Sequence, residues 1–181
     1  MKSDLSLKTE RLFSMVISAT RTEESALIIP QDLDRDVTEL HRATDGGAGT
    51  DAITVCSILS SRSDGQIRAI SQSFHQKYRA TLQEVIKKKF SGHMEDALLL
   101  MTERACDPAM MDAIQLEETM KGIGTRNQLL INRIVRIHWN RPHLDQVKRA
   151  YKHKYSKDLV ARVRGETSRH FERLCVALLQ S

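Results

Sequence analysis

Two short stretches of the chain share one pattern. RATDGGAGTD, at 42–51, and MKGIGTRNQL, at 120–129, each contain Gly-x-Gly-Thr, and Gly49 and Gly124 lie 75 positions apart. Glycine accepts backbone angles that a Cβ forbids, so such a turn can aim successive carbonyls the same way. Carbonyls gathered like this suit a hard cation, since calcium takes about 6–8 oxygens at roughly 2.3–2.6 Å. Carbonyls are neutral, however, and at least one carboxylate is usually needed to offset the dication and its dehydration. The other reading of each turn is a plain connector, because helices often finish on glycine.

The other chemistry-bearing residues carry less. There is no GxxxxGK[ST] loop, no GxSxG elbow and no HExxH helix. The cysteines, histidines and acids show no catalytic spacing, so the chain is read as a non-enzyme. His138 and His143 flank Trp139 and Pro142; they are read as residues of a surface loop rather than metal ligands, with Trp139 packed against that loop. Arg62 is expected to anchor a helix end or pair with an internal acid, as are Arg21 and Arg104.

The 181 residues are 40% hydrophobic and 4% aromatic, with three prolines, a balance that suits an all-α protein. Cys56, Cys106 and Cys175 are an odd count at wide spacing, as for reduced thiols in a cytosolic protein. No apolar run approaches the roughly 20 residues that span a bilayer, and the first residues, MKSDLSLKTERLF, lack the apolar stretch of a secretion signal. The net charge of +5 favours anionic partners. Basic residues are interspersed with acids except at Lys87, Lys88 and Lys89, and no stacking aromatics accompany them, so nucleic acid is not expected.

The elements that must hold the two turns also occur twice. At a shift of 77, Ile67 meets Leu144, Ile70 meets Val147, Phe74 meets Tyr151, Tyr78 meets Tyr155, Leu82 meets Leu159 and Ile86 meets Val163. The change from 75 to 77 places two extra residues near HWNRPH, at 138–143. Apolar spacing predicts five helices in each copy. In the first they cover 33–44, 50–61 with Thr50 as cap and Ile53, Cys56, Ile58 and Leu59 inward, a third capped by Ser63 or Asp64, about 81–89, and one opening near Met94. In the second they cover about 108–120, 125–138, 142–155, 157–164 and 168–179. TERLFSMVISATR, at 9–21, reads as the closing helix of a further unit, with Leu12, Met15, Val16 and Ala19 inward, and EESALIIPQD as a linker. The expected organisation is therefore 1–28 as closing helix and linker, then repeats at 29–106 and 107–181. Stacked modules of this kind cannot bury their apolar faces alone.

Gly-x-Gly-Thr, SSRSDGQIRAI (60–70), FSGHMEDALLLM (90–101) and ETSRHFERLCVALL (166–179) together resemble the annexin repeat, and MKGIGT with KYSKDLVARVRGETS resembles the last one. The resemblance spans nearly the whole chain and looks like the third and fourth of four repeats, in a divergent, fungal-type form. It implies a right-handed all-α array that binds acidic phospholipid through calcium, as a cytoplasmic protein associated peripherally with membranes. It further implies calcium held by turn carbonyls and by an acid some forty residues later. In the second copy that set is Met120, Gly122, Gly124 and Glu166; Arg126 follows the turn where the family has an acid, and should repel a dication or reach a lipid phosphate. In the first copy Asp45, Gly47 and Gly49 form the turn, but Lys89 stands at the cap, a degenerate site that Asp45 or Asp51 could rescue. Lys87 and Lys88 are further phosphate-contact candidates. One weak calcium site is expected, with a protein-interaction scaffold or a calcium-independent anion-binding surface as the alternatives.

Overall fold

The computed structural model describes residues 7–18, 21–45, 49–122 and 124–180, without the side chains of residues 7 and 8. The described residues are helical with no strand, and they fall into two compact units, Met1–Cys106 and Asp107–Ser181.

The first unit contains α1 (Leu7–Ile17), α2 (Pro30–Asp45), α3 (Ala52–Ser61), α4 (Asp64–Tyr78), α5 (Leu82–Lys89) and α6 (Gly92–Cys106). Local chemistry starts most of these helices. Pro30 opens α2, where its fixed φ and missing N–H cost nothing. Asp51, not Thr50, caps α3, because its carboxylate reaches the Ile53 and Thr54 amides at 3.1 and 3.2 Å. Ser63 with Gln66, and Thr81 with Glu84, form reciprocal capping boxes at α4 and α5. The core gathers Leu12, Val37, Leu40, Val55, Leu59, Ile67, Ile70, Phe74, Leu82, Ile86 and Leu98.

Several apolar positions depart from the expected pattern. Ile53 is exposed while Val55 is fully buried, since a helix starting at Ala52 turns a different face to α2 and α6. Val16 is half-exposed, whereas Leu12 is buried where α1 lies on α3 and α6. Ala19 lies outside the described residues. The stretch after α1 is tied down at its start. The Thr22 amide and hydroxyl both donate to the Ser61 carbonyl, at 2.7 and 2.9 Å. Glu24 accepts from the Asp64 and Gly65 amides at the start of α4, at 2.8 and 3.3 Å. Arg21 donates to the Arg62 carbonyl at 2.8 Å and pairs with Asp64.

The second unit contains α7 (Pro108–Met120), α8 (Asn127–His138), α9 (Arg141–Tyr155), α10 (Leu159–Glu166) and α11 (Arg169–Gln180). Its core repeats the first at the matched positions: Leu144, Val147, Tyr151, Leu159 and Val163 are buried like Ile67, Ile70, Phe74, Leu82 and Ile86. Asp107, Asn140 and Asp158 cap α7, α9 and α10. The histidines are not in a surface loop. His138 is buried with Nδ1 2.8 Å from the Leu178 carbonyl, and His143 Nε2 lies 2.7 Å from Asp112. Trp139 is 80% exposed, its ring set edge-on to His138.

One buried acid braces each unit. Asp36 of α2 takes both ends of the Arg62 guanidinium at 2.5 and 2.8 Å. Asp112 of α7 pairs with Arg136 at 2.8 Å as well as His143. Arg62 thus takes the expected role.

The final helix of each unit opens on a left-handed residue: Gly92 at φ 59° and Arg169, 77 positions on, at φ 57°. An L side chain costs roughly 1–2 kcal/mol in that region. Arg169→Gly should therefore raise stability by about 0.5–1 kcal/mol, less than the full strain because glycine also frees the unfolded chain. A Cβ on Gly92 would meet nothing within 4 Å, so Gly92→Ala should lower stability through the backbone alone, by about 1 kcal/mol. Urea midpoints of the two variants check both signs.

Candidate functional site

The second glycine turn closes the gap between α7 and α8. Gly122 and Gly124 hold φ of 95° and 83°, and a Cβ on either would meet nothing within 4 Å. The turn is pinned at its exit, where the Arg126 amide donates to the Thr119 carbonyl at 2.9 Å. Arg126 itself reaches back to the Glu118 carbonyl. A cation suits that helix end, where carbonyls lack amide partners.

Glu166 comes to this turn from the end of α10. The Thr125 hydroxyl lies 3.1 Å from the Glu166 backbone oxygen and 3.2 Å from its Oε2. Thr125, the last residue of the glycine motif, therefore sets the carboxylate beside the loop. Glu166 is half-buried, with a side chain 27% exposed.

The other carboxylate oxygen meets Arg162, one turn earlier on α10. Arg162 is a hub. Its Nε and Nη2 donate to the two oxygens of Glu117 at 3.3 and 3.2 Å, Nη2 also donates to the Met120 carbonyl at 3.1 Å, and Nη1 bonds Glu166. Tyr151 donates its hydroxyl to Glu117 from α9. Burial, reinforced by that bond, raises the Tyr151 phenol and keeps it a donor. Burial alone would raise the Glu117 carboxyl, but the Tyr151 and Arg162 hydrogen bonds outweigh it, and Glu117 titrates below the usual carboxylate range.

Of the second-copy candidates, Met120 and Glu166 are thus brought to one point, and Gly124 adjoins them through Thr125. Sequence reasoning gave no site role to Arg162, Glu117 or Tyr151, and took Thr125 only as part of the glycine motif. Arg162 and Glu166 stand four apart on a helix, a spacing at which oppositely charged side chains meet. The approach of Glu117, 45 residues from Arg162, has no comparable signature.

The donor set fits calcium by type. Backbone carbonyls and one carboxylate are hard oxygens, the glycine turn is open, and Glu166 is aimed at it. Among the described residues no group of three His, Cys, Asp or Glu could hold a metal.

The first turn is described at its edges, up to Asp45 and from Gly49 onward. Gly49 has φ 99°; Gly47 lies outside the described residues. Asp51 is engaged as the α3 cap and also accepts from the Thr54 hydroxyl at 2.7 Å, bonds that hold its carboxyl below its ordinary value. Those bonds occupy Asp51 at the helix start. Asp45 and Lys89 line one cavity of about 260 Å³ with Lys88, His41 and Tyr78. His41 stacks on Tyr78 at 3.7 Å and stands 3.8 Å from Asp45. Lys87 and Lys88 are exposed on the last turn of α5.

The annexin family model matches residues 35–101 and 111–178. Annexin C1 of Cryptococcus neoformans var. grubii is 39% identical over 183 residues, covering 99% of this chain and 39% of its own length. Annexin A13 of Homo sapiens is 33% identical over 150 residues, covering 83% of this chain and 46% of its own. The chain thus spans less than half of these relatives. Among solved structures, calcium-bound annexin (Sm)1 aligns with a TM-score of 0.86 at 20% identity, over 99% of this chain and 52% of that one. Annexin III aligns with a TM-score of 0.84 at 23% identity, over 99% of this chain and 55% of that one. At these identities the structural likeness concerns the fold.

Glu117 carries a pH signature. Its carboxyl holds its charge more firmly folded than unfolded, so its stabilisation is present at neutral pH and lost as pH falls below 4.5. The urea midpoint should fall between about pH 5 and pH 3, and Glu117→Gln should flatten that fall while costing about 1–3 kcal/mol at neutral pH.

Proposed function

The chain belongs to the annexin family, and we propose that its second unit docks on acidic phospholipid through calcium held at the 120–125 turn. Annexins in general are calcium-dependent phospholipid-binding proteins rather than enzymes. The observation that carries the reading here is the placement of Glu166, tied by Thr125 beside the open glycine turn. Met120, Gly122 and Gly124 would offer carbonyls, and Glu166 the carboxylate. Calcium bound there would leave coordination positions for lipid phosphate oxygens and so bridge protein to membrane. None of the described helices is long and apolar enough to cross a bilayer, and membrane association in this reading is peripheral, on the cytoplasmic side.

The first unit contributes little calcium chemistry in this reading. Lys89 stands where the second unit has Glu166, and Asp51 is held by α3. One calcium site is therefore assigned, of low affinity. Its partner is an acidic phospholipid surface; protein partners would use other faces, and nucleic acid is not among the partners. Repeats at 29–106 and 107–181, with 1–28 as the end of a preceding one, are the organisation we assign.

A second reading has its own observation. Lys87, Lys88 and Lys89 end α5 beside the cavity that Asp45 lines, and they could bind phosphate directly without calcium, as could Arg126 separately in the second unit.

Sedimentation with phosphatidylserine vesicles at about physiological salt separates the two. Binding should require calcium, reverse in chelator, and need at least about tenfold more calcium in Glu166→Gln, which keeps the side-chain shape and removes the ligand charge. Binding that ignores chelator but fails at high salt would favour the lysine surface. No binding at all would leave an interaction scaffold.

A further inference from the structure

The guanidinium of Arg162 touches two of the oxygens that the calcium reading assigns to the metal. Its Nη2 lies 3.1 Å from the Met120 carbonyl, and its Nη1 bonds Glu166. A calcium ion ligated by those same two groups would have to stand roughly 2.3–2.6 Å from each. Two cations cannot share that space, and Arg162 cannot yield by losing its proton, because an arginine stays charged at any ordinary pH.

Resting on the calcium reading above, we infer that Arg162 is a built-in competitor: it holds the Met120 carbonyl and the Glu166 carboxylate that the metal would use, and calcium enters only by displacing it. Glu117 makes the displacement possible. It holds Arg162 by both carboxylate oxygens, at 3.2 and 3.3 Å, and is itself fixed by the Tyr151 hydroxyl. The guanidinium can therefore leave Met120 and Glu166 while keeping one complete ion pair. Among its described residues the first unit has no counterpart to this arrangement. The residue 77 positions before Arg162 is Val85, which packs against that unit's core, and the cap position there is already a lysine.

The low affinity proposed above then has a specific cause: the ion competes with an internal cation for one carboxylate. The Arg126 side chain, which donates to the Glu118 carbonyl, is a bystander whose charge acts only at a distance.

Calorimetric titration of calcium into the 181-residue chain and into Arg162→Met tests this. The methionine keeps an unbranched apolar stem and removes the charge. Its calcium affinity should rise at least about tenfold, about 1.4 kcal/mol. Its metal-free melting temperature should fall, because Glu117 and Glu166 lose their partner, and calcium should restore more of that loss than it adds to the parent. A variant that is less stable yet binds calcium no better than the parent overturns the inference and leaves the calcium reading standing, with Arg162 merely structural. Failure of both folded proteins to bind calcium overturns both. If Arg162→Met does not fold, Arg162→Lys replaces it: a lysine cannot span Glu117, Met120 and Glu166 at once, so affinity should still rise, and an unchanged or weaker affinity overturns the inference.

Discussion

A carboxylate taken out of water must be met by charge or by hydrogen-bond donors, and this requirement braces both units. Asp36 and Asp112 are nearly sealed from solvent on α2 and α7. Asp36 finds its partner in Arg62, the residue that ends α3; Asp112 finds two, Arg136 near the end of α8 and His143 at the start of α9. Removing one member of such a pair typically costs about 3–5 kcal/mol, so the helices that carry them are held in one arrangement. In the second unit this bracing stands at the far end of α7 from the glycine turn.

The repeat was the most legible property of the sequence, since the matched apolar residues from Ile67/Leu144 to Ile86/Val163 are the buried ones. Helix starts were less so. Thr50 and Asp51 are both competent caps, and only the backbone geometry selects Asp51. Ile53 and Val16 were expected inward because periodicity gives a stripe, not its phase against a neighbouring helix. His138 and His143 were misplaced for a related reason: partners in Leu178 and Asp112, 40 and 31 residues away, leave no local trace. At the site, Glu166 could be placed from motif spacing, whereas the Arg162–Glu117–Tyr151 cluster depends on three helices meeting.

The two units show how one scaffold accommodates different electrostatics at equivalent points. The first places an amine at the cap position and a valine one turn earlier; the second places a carboxylate there and a guanidinium one turn earlier. These two positions lie on the short helices α5 and α10. The apolar core beneath matches position by position. Phe74 and Tyr151 are one such matched pair: the same buried ring carries a hydroxyl only in the unit where Glu117 stands ready to accept it.

Trp139 is the chain's single tryptophan, and it stands almost wholly in solvent between α8 and α9. Its emission will be that of a water-exposed indole in the native state already, open to collision with dissolved iodide or acrylamide. Unfolding will change it little, and what change occurs will come from the separation of the neighbouring His138 ring. An optical melt excited through this indole would therefore be nearly blind to the first unit, and circular dichroism is the signal in which both halves are heard.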